Sequence, residues 1–202
     1  MGHDCRERRL LTFNRNYNRR QSRDGHPELQ AERRFCVIRI GVIGYGYWGP
    51  NIVRNFNSIE GACVAAVCDM NPNALKKVNA AWPNIRTTTE STEIIAAGDI
   101  DAIAVVTPVY THYELARKAL QEGKHVFVEK PVGVDVPGVK RVQQTCELAK
   151  QKGLAIVSGL VWRADPGVTE TVNRIRDGAI GDIIAIQSCY NASTLWHRGD
   201  DP

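Results

Sequence analysis

Three features of the sequence predict a doubly wound parallel α/β sheet followed by the opening of a second α+β domain. Short apolar runs alternate with helix-periodic segments from Cys36 to Ser158. The first run ends in Gly44-x-Gly46-x-x-Gly49, and a helical segment with Pro50 in its first turn follows at once. The next apolar run, VAAVC, is closed by Asp69, 25 residues beyond Gly44. A strand before the glycines, a helix after them and an acid at the end of the second strand make up the βαβ unit of a dinucleotide-binding Rossmann fold.

Each glycine has a separate expected task. Gly44 allows the tight turn, Gly46 lets the backbone approach a pyrophosphate because it lacks a Cβ, and Gly49 permits close packing of the helix. The free N–H groups of the helix beginning near Trp48 would receive the pyrophosphate, so Tyr45, Tyr47 and Trp48 belong to the candidate site with the glycines.

Composition narrows the function classes. Apolar content of 43% with 24% charged residues fits a globular protein. No run approaches the roughly 18 apolar residues that span a bilayer, and the first residues lack the apolar core of a secretory signal, so the expectation is a cytoplasmic protein without a membrane partner. The net charge of +4 arises within residues 1–34, which hold nine arginines against five acids. The remainder is balanced, which argues against a specific nucleic-acid partner. Six scattered cysteines without a CxxC pattern suggest neither a disulfide framework nor a zinc site, and no metal is expected.

Along the chain, residues 1–34 read as an arginine-rich extension without sustained periodicity, expected to be disordered. Residues 35–158 form the nucleotide-binding domain. Its expected strands are Cys36 to Val42, Ala62 to Cys68, Ile85 to Thr88, AIAVV from Ala102, HVFVE from His125, and Leu154 to Ser158. The expected helices run from Trp48 to Ser58, from Pro72 to a stop at Pro83, from Thr89 to Ala97, from Tyr110 to Glu122, and from Val136 to Lys152. Residues 159–202 break the alternation. An amphipathic helix carrying Val168, Val172 and Ile175 and a strand from Ile183 to Tyr190 read as the incomplete start of a second domain.

Several residues at strand ends carry candidate chemistry. Asp69 would accept hydrogen bonds from the adenosine ribose and repel a 2′-phosphate, favouring NAD over NADP; an acid that only caps the following helix is the alternative. Thr107, Pro108 and His112 follow the fourth strand, where loops of such a sheet face ligand. His112 reads either as a substrate contact or as a structural hydrogen-bonding residue. Glu129, Lys130 and Pro131 close the fifth strand. A buried lysine there would have a depressed pKa suited to proton exchange with a hydroxyl; a solvated loop lysine is the alternative reading.

The stretches GVIGYGYWG, VVTPVYTH and GKHVFVEKP together resemble the glucose-fructose oxidoreductase, inositol dehydrogenase and MocA family, written Gfo/Idh/MocA, from about Arg39 to Gly159 and more loosely beyond. The resemblance implies a Rossmann domain holding NAD, or less readily NADP, and a larger C-terminal domain for substrate binding and oligomerisation. It implies that Lys130 exchanges a proton with the reacting oxygen, that Glu129 helps to position it, and that Pro131, on a cis bond, shapes the cofactor wall. Members also use an aspartate and histidine, or a histidine alone, from the second domain; the sequence departs from that pattern, with His197 as the available histidine. The implied substrate is a sugar, cyclitol or sugar nucleotide oxidised at a secondary hydroxyl, in a full-length protein that is homo-oligomeric. Binding of nucleotide without catalysis is one alternative, and NAD-dependent glycoside cleavage is another.

Overall fold

Six short strands and the helices between them fill the first of two compact units, whose boundary along the chain falls between Gly159 and Leu160. A computed structural model describes residues 36–191, with side chains from Ile38 onward. The arginine-rich segment 1–34 and His197 lie outside the described residues.

The elements are β1 (Cys36–Ile43), α1 (Gly49–Asn57), β2 (Gly61–Cys68), α2 (Pro72–Ala81), β3 (Arg86–Thr88), α3 (Ser91–Ala96), β4 (Ala102–Val105), a 3-10 turn (Val109–Thr111), α4 (His112–Gln121), β5 (His125–Val128), α5 (Val136–Gln151) and β6 (Ile156–Ser158). The sheet order is β3-β2-β1-β4-β5-β6, and every pairing is parallel. The order reverses between β1 and β4. In a sheet of this kind, ligands enter at the carboxyl ends of the strands beside that reversal.

Alternation along the strands divides the core between two faces. Ile40 and Val42 pack with Ile52, Val53, Leu75 and Val78 of α1 and α2. Ile43 points the other way, into a cluster with Ile94, Ile103 and Leu120. A buried side chain of this size contributes about 1.5–3 kcal/mol, so both faces must be covered for the sheet to stand.

Helix starts follow the chemistry of the sequence. Proline occupies one of the first two positions of α1, α2 and α5, where its missing N–H costs nothing. The Asn71 and Asp135 side chains cap α2 and α5 by accepting from the amides of Asn73 and Gly138. Two lysines bind the carboxyl ends of helices. Lys124 Nζ donates to the carbonyls of Ala97 and Ile100 at 2.6 and 2.8 Å, and Lys152 Nζ to those of Leu120 and Gln121 at 3.2 and 2.7 Å.

The edge pairing of β5 with β6 contains a titratable link. Ala155 N–H donates to His125 Nδ1 at 2.9 Å, a bond that requires an unprotonated nitrogen. Burial pushes the His125 imidazole below its ordinary value of 6.5, against a weaker opposite pull from Asp101. The unfolded chain therefore takes up this proton at a higher pH than the folded one. The stability contributed is complete above pH 6.5 and is lost as the pH falls from there through the lower folded value. The thermal midpoint is expected to fall between about pH 7.5 and about pH 5.5. That fall should be smaller in His125→Asn, whose amide oxygen accepts the same bond without titrating; equal falls in the two proteins would refute the link.

Two sequence expectations change here. Against the expectation of no disulfide framework, Cys63 is disulfide-bonded. Cys68 is free and buried, and burial, aided by the adjoining Asp69 carboxylate, raises its thiol to about 11.

The second unit, taken by itself, contains a 3-10 turn (Val161–Arg163) and α6 (Pro166–Arg176), capped by Asp165 through the amide of Val168. The strand expected from Ile183 to Tyr190 does not form; those residues have no ladder partner among the described residues. An apolar run becomes a strand only when a neighbour takes up its N–H and C=O groups, and Ile184, Ile186 and Tyr190 remain exposed. No helix among the described residues is long and apolar enough to cross a membrane.

Candidate nucleotide site at the strand reversal

The loops after β1, β2, β4 and β5 converge at the carboxyl edge of the sheet. Gly44 has φ +102°, and its N–H donates to the Cys68 carbonyl at 2.8 Å. A Cβ at this position would lie 2.6 Å from the Val106 carbonyl oxygen and 3.0 Å from Thr107 N. Gly44 thus makes the turn and also lets β1 pass close to the end of β4. Gly49 fits against the turn itself, since its Cβ would fall 2.6 Å from the Gly44 carbonyl. Gly46 differs from both, with nothing within 4 Å of its Cβ position. The open space at Gly46 would suit a pyrophosphate cradle, and a side chain would fill it.

Asp69 shapes this cradle from β2. Its Oδ2 accepts from Tyr45 N at 2.6 Å and its Oδ1 from Asn71 N at 2.8 Å. Helix α2 is capped by Asn71, so Asp69 is not its N-cap. An ionised carboxylate has about four acceptor positions, which leaves capacity for ribose hydroxyls after both amides are served. The same charge opposes a 2′-phosphate. Asp69→Ser is therefore expected to lower the ratio of NAD to NADP affinity by about tenfold or more, measured by calorimetry. Both affinities should also fall, because the Tyr45 tether is lost; an unchanged ratio would refute the discrimination.

The side chains of the glycine loop separate into two groups. Tyr45, expected at the cofactor, is buried in the core beside Ile52 and Val53, so only its backbone belongs to the cradle. Tyr47 and Trp48 are exposed and stacked, with ring centroids 6.3 Å apart. Trp48 Nε1 donates to Glu129 Oε1 at 3.0 Å, joining the first loop to the end of β5.

After β4, Thr107 Oγ1 and Thr111 Oγ1 share a 2.6 Å hydrogen bond, and Pro108 O accepts from the Thr111 backbone and hydroxyl. His112 is 2% exposed. Its Nε2 lies 2.7 Å from Thr107 O and its Nδ1 2.9 Å from Pro131 O. Both ring nitrogens face backbone carbonyls, and a neutral imidazole, with one N–H, donates to one of the two, so the ring is packed against both loops with neither nitrogen open to solvent. The histidine thereby ties the β4 loop to the turn that carries Lys130.

Lys130 follows β5, and its bond to Pro131 is cis. Its amide donates to Glu129 Oε2 at 3.1 Å, while its side chain is exposed. Of the two readings of Lys130, the solvated one holds, while the lysine buried in this domain is Lys124, 8% exposed, with its Nζ hydrogen-bonded to the carbonyls of Ala97 and Ile100. Lys130 therefore has a fixed backbone and a side chain exposed to solvent. Among the described residues, no group of three or more His, Cys, Asp or Glu side chains is arranged to hold a metal ion.

Residues 38–159 match the family model GFO_IDH_MocA, described as an oxidoreductase family with an NAD-binding Rossmann fold. The chain belongs to this family. Residues 38–159 accordingly form an NAD-binding Rossmann fold, and the open space at Gly46 with Asp69 nearby is compatible with such a dinucleotide. Among Gfo/Idh/MocA relatives, the chain is similar to an inositol 2-dehydrogenase/D-chiro-inositol 3-dehydrogenase of Shouchella clausii, 32% identical over 76% of this chain and 44% of the relative. It is similar to a glycosyl hydrolase family 109 protein of Shewanella amazonensis, 27% identical over 81% of this chain and 37% of the relative. A scyllo-inositol dehydrogenase from Lactobacillus casei, solved with NAD(H) and scyllo-inositol, superposes with a TM-score of 0.65 at 28% identity, covering 72% of this chain and 43% of that one. The chain thus spans about two-fifths of the length of these proteins.

Proposed function

We propose that this chain is the nucleotide-binding part of an NAD-dependent dehydrogenase that oxidises a secondary hydroxyl of a cyclitol, sugar or sugar nucleotide. The observation that carries the reading is the arrival of Lys130 at the same sheet edge as the Gly46 cradle and Asp69. NAD, when bound, supplies the hydride acceptor. Gly44, Gly46 and Gly49 with Tyr47 and Trp48 receive the pyrophosphate on the loop and the first turn of α1. Asp69 holds the ribose hydroxyls, and Thr107 and Pro108 form the wall beside them. Lys130 Nζ takes the proton of the reacting hydroxyl and returns it in the reverse reaction, with Glu129 fixing the lysine's backbone. The similarity to inositol dehydrogenases supports the substrate class. The test is NADH formation by the protein with a panel of inositols, sugars and sugar nucleotides; a protein that binds NAD but reduces none with any polyol would overturn the reading.

The family 109 glycosyl hydrolases among the relatives favour a second reading, glycoside cleavage through transient oxidation. Aglycone release without net NADH accumulation would select it over dehydrogenation. Homo-oligomerisation and contact of His197 with substrate are further proposals from the family resemblance, the second testable by the KM of His197→Ala.

A further inference from the structure

The Glu129 carboxylate sits between two parts of the site that are far apart in sequence. One oxygen accepts from the Trp48 indole at 3.0 Å, and the other accepts from the Lys130 amide at 3.1 Å. Gly159 makes room for it; a Cβ there would lie 2.8 Å from Glu129 Oε2 and 3.0 Å from its carboxyl carbon. The Glu129 amide is itself fixed to Val105 O at 2.9 Å, so the residue is held at its backbone and at both oxygens.

Trp48 is equally constrained at its other end. It is the N-cap residue of α1, and its carbonyl accepts from the amides of Asn51 and Ile52 at 3.0 and 3.3 Å. The indole therefore extends from the turn that receives the dinucleotide to the turn that carries the lysine. A hydrogen bond to an ionised carboxylate is stronger and more directional than one between neutral groups. Any displacement of the α1 turn reaches Glu129 through this bond and reaches the Lys130 backbone through the second oxygen.

We propose that Trp48 is a positioning residue for Lys130, acting through Glu129, and that it couples occupancy of the dinucleotide loop to the placement of the lysine turn. The catalytic consequence rests on the dehydrogenase reading above, whereas the mechanical link does not. Trp48 is half-exposed, so replacing the indole leaves no buried group unpaired, and Trp48→Phe keeps the aromatic face while removing the N–H donor.

The test is the amide spectrum of the full chain labelled with nitrogen-15. Trp48→Phe identifies the Trp48 indole resonance by its disappearance. Without cofactor, Trp48→Phe is expected to shift the Lys130 amide and to speed its hydrogen exchange about three- to tenfold, the range of a coupled pair losing one member. Glu129→Gln, which keeps the shape and removes the charge, should move the Trp48 indole resonance upfield. A Lys130 amide that keeps its shift and exchange rate in Trp48→Phe would overturn the proposal, because a purely local role for the indole predicts that result. In the second arm, saturating NAD should move the Lys130 amide of the wild-type chain by at least about twice as much as that of Trp48→Phe. Equal movements would overturn the coupling. Failure of the wild-type chain to bind NAD would overturn the nucleotide site and the coupling together, while the cofactor-free arm still decides the link from Trp48 to Lys130.

Discussion

Gly44→Ala is expected to lower the thermal midpoint by several degrees and to weaken NAD binding at least about tenfold. Two costs combine at this position. The backbone has φ +102°, where an L side chain costs about 1–3 kcal/mol, and the new Cβ would meet the Val106 carbonyl at 2.6 Å. Relief requires β1 and the β4 loop to separate, which also disturbs Thr107 and the cradle. Gly46→Ala provides the contrast. Its φ is not in the left-handed region and nothing lies within 4 Å, so the variant should melt with the wild-type protein while NAD affinity falls at least about tenfold. Differential scanning calorimetry and an NAD titration on each variant check both halves. Equal melting of wild-type and Gly44→Ala proteins, or unchanged affinity in Gly46→Ala, would refute the assigned roles.

Lys130→Met should reduce turnover by about 10²–10⁴, the usual contribution of a positioned general acid or base. Stability should hardly change, because the side chain is exposed, and neither the Lys130 amide bond to Glu129 nor the contact of Pro131 O with His112 depends on it. NAD affinity should change less than about threefold, which separates loss of proton transfer from loss of the site. Measured kcat, KM and NAD affinity on whichever alcohol proves active give the comparison. A turnover within about threefold of wild type would assign the proton to another group.

The first unit was legible because its signals are local. Apolar runs, prolines near helix starts and Asn71 or Asp135 as caps each act within a turn of the chain, and the glycine motif carries its own steric reasons. The tasks of Gly44 and Gly46 could be read directly, although the neighbour that Gly44 must avoid, Val106, belongs to another strand. Side-chain destinations were less legible. Tyr45 looked like a loop aromatic, yet the core takes its ring; the lysine the fold buries is Lys124, not Lys130, where the carbonyls of Ala97 at the end of α3 and of Ile100 in the following connection receive its Nζ. His112 had two readings in the sequence, and its engagement by Thr107 and Pro131 depends on the meeting of two loops. Trp48 and Glu129 are 81 residues apart, and no periodicity connects them. The apolar pattern of Ile183 to Tyr190 described a strand's side chains but said nothing about the partner its backbone requires.

The most direct test of the central claim, a glycine cradle and Asp69 built for NAD, is a calorimetric titration of the chain with NAD and, separately, NADP. Saturable binding of NAD to one site, with NADP at least about tenfold weaker, is the predicted result. A folded chain that binds neither dinucleotide, or that binds NADP as tightly as NAD, would contradict it.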